Sequence, residues 1–351
     1  MIAWLFRWVK RLLIAVLILV AALMAPVIYV EAACRGEAVA SDYAALLPPE
    51  HHRPEARTLL TYPEWHIVHA YDDYAEVIET DDPHMFGYVR AVAGFWTSLC
   101  ALAAQAPSHG GFDGETKQMV YVIGTSFTVE MLMKALYEET LGRAAALLRG
   151  DGQSPLDQVS ARQARDYATF LQQVPWYKWD FQADKAELLA EDTGVPRDVE
   201  RRWALGTEYG VKSAYAGVIA KAVANVGADE LTLRMVVTGA SDAVLSGWDG
   251  VRVVERTEAG VVIETPRYRA LTHLIEEMAA KGVRFVEIAG NDDILLTATS
   301  QAATVPGAIH SFERQGYGDY RHLILIKVRD LAQRVTSMAS AGLKLEHIHD
   351  Y

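Results

Sequence analysis

Residues 12–30 read LLIAVLILVAALMAPVIYV, nineteen residues without a charge. As a helix rising 1.5 Å per residue, this run is about 28 Å long, close to the roughly 30 Å hydrocarbon core of a bilayer. Ala32 and Ala33 extend it past Glu31. Residues 12–33 are therefore expected to form a transmembrane anchor in contact with membrane lipid. Trp4 and Trp8 before the run and Tyr29 near its end suit the two membrane interfaces. Arg7, Lys10 and Arg11 precede it, so the positive-inside bias makes 1–11 a cytoplasmic tail and puts the rest across the membrane. The expectation is a single-pass protein of the inner (cytoplasmic) membrane with its bulk in the periplasm. A cleaved signal peptide is the rival, but the run exceeds the roughly 7–15 apolar residues usual there. Cys34 after Ala32-Ala33 hints at a lipoprotein site, yet Glu31 stands where such signals carry an apolar residue.

The remaining residues are globular in composition, 51% hydrophobic and 22% charged across the chain. Net charge is −12, with +3 in the first 35 residues and −15 in the rest. An acidic body repels phosphates, which argues against a nucleic-acid partner. The two cysteines, Cys34 and Cys100, are too few for a disulfide scaffold and are expected as separate thiols.

Residues 34–60, with Pro48, Pro49 and Pro54, read as a Pro-containing stalk. An all-helical domain is expected over 61–225. Its first helix opens at Tyr62-Pro63-Glu64 and carries Ile67, Tyr71, Tyr74 and Ile78 as one apolar stripe. Residues 91–106 are uncharged, but at about 24 Å they suit a buried core helix better than a second span. Periodicity then changes. Residues 229–351 alternate short strands with two helices, 268–281 and 330–341, and 283–288 with 294–299 reads as a hairpin. The fold class expected is α+β, with one transmembrane helix, a helical domain and a C-terminal two-layer α/β sandwich of the ferredoxin-like kind. One short echo, Gly124-Thr-Ser-Phe-Thr-Val against Gly206-Thr-Glu-Tyr-Gly-Val, is too brief to define a repeat.

Nucleophile-elbow, zincin, P-loop, dinucleotide and C-x-x-C motifs are all missing. Four groups remain. His66, His69 and Asp73 share one helix face and are usable metal ligands, although opposite the apolar stripe they read more simply as a solvated face. His347 and His349, beside Asp350, point the same way along a strand and form a plausible metal half-site. Glu130 follows an apolar run and is a candidate catalytic acid or base, against an i,i+4 ladder with Lys134 and Glu138. Trp176, Tyr177, Trp179 and Phe181 are candidates for ligand or partner contact, or for sealing a seam. The leading reading is an extracytoplasmic accessory or binding protein with a membrane-protein partner. The alternative is a membrane-anchored, metal-dependent envelope hydrolase.

Overall fold

The computed structural model describes residues 2–39, 42–149, 153–191, 194–223 and 231–351. Helix α1, Ile2–Ala33, is exposed along most of its length, and only its last turns touch the body. There Val27, Val30 and Cys34 are buried against helices α3, Tyr88–Gln105, and α4, Gly114–Tyr137. Three segments among the described residues are long and apolar enough to cross a membrane: Phe6–Ala33, Pro83–His109 and Gly114–Leu148. The sequence reading counted one span and weighed the second. The third escaped it because Glu130 and Lys134 interrupt the apolar run.

Cys34 and Cys100 form a disulfide with Cα atoms 5.1 Å apart, which corrects the expectation of separate thiols. They are distant in sequence, and only the packing of α1 on α3 brings them together. Helix α2, Arg57–Thr80, begins five residues earlier than expected, with Pro63 inside it. The segment before it, read as a stalk, is strapped to the body. Tyr43 Oη and the backbone N–H groups of Leu46 and Leu47 all donate to the Glu287 carboxylate, at 2.5, 2.5 and 2.8 Å.

Helix α4 continues through a π-helical turn, Glu138–Gly142, into α5, Arg143–Arg149. Helices α6, Pro155–Leu171, α7, Phe181–Ala190, and α8, Pro196–Val223, complete the helical half. Ser154 and Asp157 form a capping box at the start of α6. Helix α2 is the axis of this half, packed on α3, α4 and α6.

The C-terminal part holds two four-stranded antiparallel sheets, where one was expected. Strand β1, Thr232–Thr238, is followed by the short helix α9, Asp242–Leu245. Strands β2, Arg252–Thr257, and β3, Gly260–Pro266, lead into helix α10, Tyr268–Ala280, and strand β4, Arg284–Ile288. The second unit runs β5, Asp293–Ser300; β6, Ala308–Glu313; β7, Tyr320–Lys327; helix α11, Val328–Ser337; and β8, Lys344–His349. The sheet orders are β2-β3-β1-β4 and β6-β7-β5-β8, so the two units share one topology. Matching elements open sixty residues apart: Gly260 and Tyr320, Tyr268 and Val328, Arg284 and Lys344. At this offset Leu271 and Leu331, Met278 and Met338, and Gly282 and Gly342 are identical. The first four are buried core residues, and the two glycines stop the helices at φ +84° and +69°.

The expected hairpin of β4 and β5 does not form. Each strand pairs within its own sheet, and the chain crosses between sheets through Ala289 and Gly290, both at positive φ. Strand β5 is buried on both faces as an inner strand of its sheet, between β7 and β8, which explains its continuous apolar run. Helix α11 packs across β4 and α10 across β8, so each unit covers the other's edge and one core serves both.

Closing a loop of 66 residues, the disulfide should stabilise the fold by up to about 4 kcal/mol. Alkylation of unfolded protein without reductant should modify neither cysteine, and Cys100→Ser should lower the denaturation midpoint. Free alkylation of both thiols in unreduced protein would contradict the cross-link.

Candidate functional site at the seam of the two halves

Successive turns of α2 place Tyr62, Trp65, His66, His69 and Asp73 toward the second sheet, and all five are buried. The face read as solvated is therefore interior. Helix α2 is covered twice, by α4 and α6 on its tyrosine side and by β5 and β8 on the other. Thr58 fixes the register, donating from Oγ1 to the His349 carbonyl at 2.5 Å and accepting from Leu295 N–H at 3.0 Å.

At the centre of the seam lies Arg321, 1% exposed. Its Nε and Nη2 donate to the two oxygens of Glu346, at 2.6 and 2.8 Å. His69 Nε2 lies 3.5 Å from the same carboxylate. Asp73 accepts from Gln315 N–H at 3.1 Å and stands 3.9 Å from both Arg314 and Arg321. Burial pushes the Asp73 carboxyl up to about 6, against the pull of Arg321. For Glu346 burial acts the same way, but the guanidinium outweighs it and holds the carboxyl well below its usual range.

The sequence treated the two histidine groups separately, and the structure brings them into one seam around Trp65. His347 stacks on the indole with ring centroids 3.5 Å apart, while His69 and His349 lie 5.7 and 6.1 Å from it. His347 Nδ1 is 3.0 Å from Thr272 Oγ1. His66 Nε2 lies 2.9 Å from the Ala91 carbonyl, which can only accept, so Nε2 carries the proton and Nδ1 faces Tyr62 Oη. Both ring nitrogens of His349 lack a hydrogen-bond partner among the described residues. Burial, aided by the Arg321 charge, lowers His66 to about 3. Burial likewise lowers His349 to about 3, and it depresses His69 and His347 well below the usual imidazole value. The four rings are neutral in the fold.

A cavity of about 190 Å³ adjoins the seam, lined by His66, Asp73, Arg90, Gly94, Phe312 and Arg321 among others. Gly94 is required there, since a Cβ at this position would lie 2.8 Å from His66 Cε1. Sequence reasoning missed Arg321 and Glu346. An Arg on β7 and a Glu immediately before the H-x-H pair of β8 carry no motif, and only sheet register pairs them.

Glu130 accepts from Tyr71 Oη and pairs with Lys212 on α8 at 2.7 Å. Lys134 pairs with Glu208 at 2.9 Å, and Glu138 with Arg201 at 2.6 Å. The expected ladder along α4 instead runs between α4 and α8. Phe181 is buried, and Trp176, Tyr177 and Trp179 are half-buried against the helical core, with Trp176 on Tyr215 and Trp179 on Phe170. Asp350 is held by Arg267 at 2.9 and 3.1 Å. Among the described residues, the only three potential ligands with donor atoms within 4.8 Å of one another are Glu55, Asp292 and Asp293. Lys327 already neutralises both aspartates, at 2.9 and 2.7 Å, and His109 lies 3.4 Å from Asp293.

Removing one partner of a buried pair strands the other charge. Arg321→Leu should destabilise by about 3–5 kcal/mol, and Arg321→Leu/Glu346→Leu should recover much of this. A double variant whose loss equals the sum of the single losses in urea denaturation would show that the groups are uncoupled. The histidines set a pH dependence. Their folded values lie below the unfolded 6.5, so the unfolded chain binds protons first as pH falls. Stability should decline from about pH 6.5 toward 3, with the raised Asp73 opposing in part. His349→Phe should flatten the decline, and a pH-independent unfolding free energy over this window would refute it. No protein-family model, curated protein or solved structure matches this chain.

Proposed function

We propose that the chain is a membrane-anchored, extracytoplasmic accessory or binding protein, held by α1 with its N-terminus in the cytoplasm. What carries this reading is the state of the candidate catalytic groups. Glu130 is closed into pairs with Lys212 and Tyr71, Glu346 with Arg321, and His66 with the Ala91 carbonyl. A general acid or base must reach a substrate proton, and these groups are spent on packing the halves together. The disulfide, just past the C-terminal end of α1, supports an oxidising compartment on that side. Arg7, Lys10 and Arg11, ahead of the apolar run within α1, support the same orientation. We read each sheet unit as ferredoxin-like, which the shared strand order with one helix before the last strand supports.

Two surfaces suit a partner. Strand β2 is an edge strand, mostly exposed, with Arg252, Glu255 and Arg256 on it; these charges discourage self-pairing and leave the edge open to a chosen strand. The seam cavity, whose wall carries Arg90 and Arg321 beside Asp73 and Glu313, is the other and suits a small polar group.

The metal-hydrolase reading keeps one observation in its favour. His349 has two unpartnered ring nitrogens in the seam that also holds His69 and His347. Native mass spectrometry of the full-length protein, gently extracted from its own membrane, separates the two readings. Co-purifying polypeptides on a metal-free chain are expected. A stoichiometric metal lost in His69→Ala and His349→Ala would replace the binding reading with the enzyme.

A further inference from the structure

Helices α4 and α8 are built inside out for a pair facing water. Their charges point at each other: Glu130 to Lys212, Lys134 to Glu208 and Glu138 to Arg201. Their outward faces are apolar. On α4, Met119, Val122, Val129, Leu132, Met133 and Leu136 are exposed. Gln118 and Ser126 are the other exposed residues between Lys117 and Glu139. This charge-free face covers 118–136, about 28 Å of helix, close to the roughly 30 Å of a hydrocarbon core. On α8, Val199, Trp203, Val211, Tyr215 and Val218 are exposed, Trp203 at 77%. The opposite side of the bundle is different. Between α2 and α6, Arg165 binds Asp72, Glu76 and Glu79 at 2.7, 2.6 and 2.7 Å in a half-solvated network.

The C-terminal end of α1 is fastened to the start of α4 and the adjoining α3. Glu31 pairs with Lys117 at 2.5 Å and accepts from Tyr121 Oη at 2.7 Å, while Cys34 is cross-linked to Cys100. The bilayer that holds α1 therefore reaches one end of the α4 face at a fixed distance.

We propose that the outward faces of α4 and α8 form a second bilayer contact, lying against acyl chains next to α1. The two ion pairs Glu130–Lys212 and Lys134–Glu208 then sit on the protein side of the contact, as charges at membrane depth must. Trp203 and Tyr215 are amphipathic rings of the type that anchors at the headgroup boundary. The paired helices contribute a broad apolar surface, and the solvated α2–α6 network faces water. The inference rests on α1 being a membrane helix.

The test uses the full-length chain in phosphatidylethanolamine/phosphatidylglycerol vesicles containing a phospholipid with a diazirine in its acyl chain. After photolysis, labelled peptides are mapped by mass spectrometry. Label is expected on α1 and on peptides covering 119–136 and 199–218, with background levels on α6 and the sheets. Met133→Glu/Leu136→Glu should reduce label on α4 by roughly tenfold or more while leaving α1 unchanged. Label on α1 alone overturns the second contact and leaves the anchor standing. Label on neither overturns both. Protection of α4 together with cross-links between two copies assigns the face to a second chain and overturns the lipid contact.

Discussion

The Arg321–Glu346 pair, which bridges β7 and β8 and meets Asp73 and His69 of α2, is the interaction at the centre of the join between the helical half and the sheets. It is buried between α2 and the second sheet, and neither charge could remain there alone. Its presence constrains its neighbours. Asp73 must accept a backbone N–H to be tolerated beside Asp72, the histidines must stay neutral beside a fixed cation, and Trp65 fills the space that they leave. A polar cluster of this kind adds little net stability compared with apolar packing. It does penalise every misaligned docking of α2 on the sheet, because each misalignment strands a charge.

The same logic runs on the other side of α2, at greater cost in exposed apolar surface. Glu130, Lys134 and Glu138 are four residues apart along α4 and the π-helical turn that continues it, and each meets an opposite charge on α8. With the charges used between the helices, the outside is left uncharged and mostly apolar. This arrangement would expose a wide apolar patch to water. Beside a helix such as α1 it has a ready environment.

What the sequence made legible follows from where the physics is local. The apolar run at 12–30, the α+β order and the change of period near 229 depend on neighbours along the chain, and they could be read. The disulfide, the second sheet and the Arg321–Glu346 pair depend on contacts between residues far apart, and no spacing announces them. The face of α2 shows the difference most clearly. His66, His69 and Asp73 share a face as expected, but which medium they meet depends on a sheet more than two hundred residues later. The sixty-residue repeat was hidden for a related reason. It survives mainly at core and cap positions such as Leu271, Met278 and Gly282, whereas the surfaces have diverged.

That divergence explains how one topology came to be covered in two ways. Each sheet gives one face to the shared core, and each needs its other face covered. Over the first sheet the cover is the strap, with Leu47 on Val236 and Val262 and its backbone on the buried Glu287. Over the second it is α2, with Leu59, Tyr62 and Trp65 on Leu295 and Leu323. Strap and helix are consecutive in the chain, so residues 42–80 run over one sheet and then the other. They change over where the sheets themselves change. Arg53 N–H donates to the Ala289 carbonyl, and Asn291 Nδ2 donates back to the Arg53 carbonyl at the crossing between β4 and β5. Sixty residues after Val261, Val286 and Ala289 stand Arg321, Glu346 and His349. The unit under the strap carries small or apolar residues at these positions. The unit under α2 carries the charges and imidazoles of the seam, which makes the seam a property of its cover as much as of its sheet.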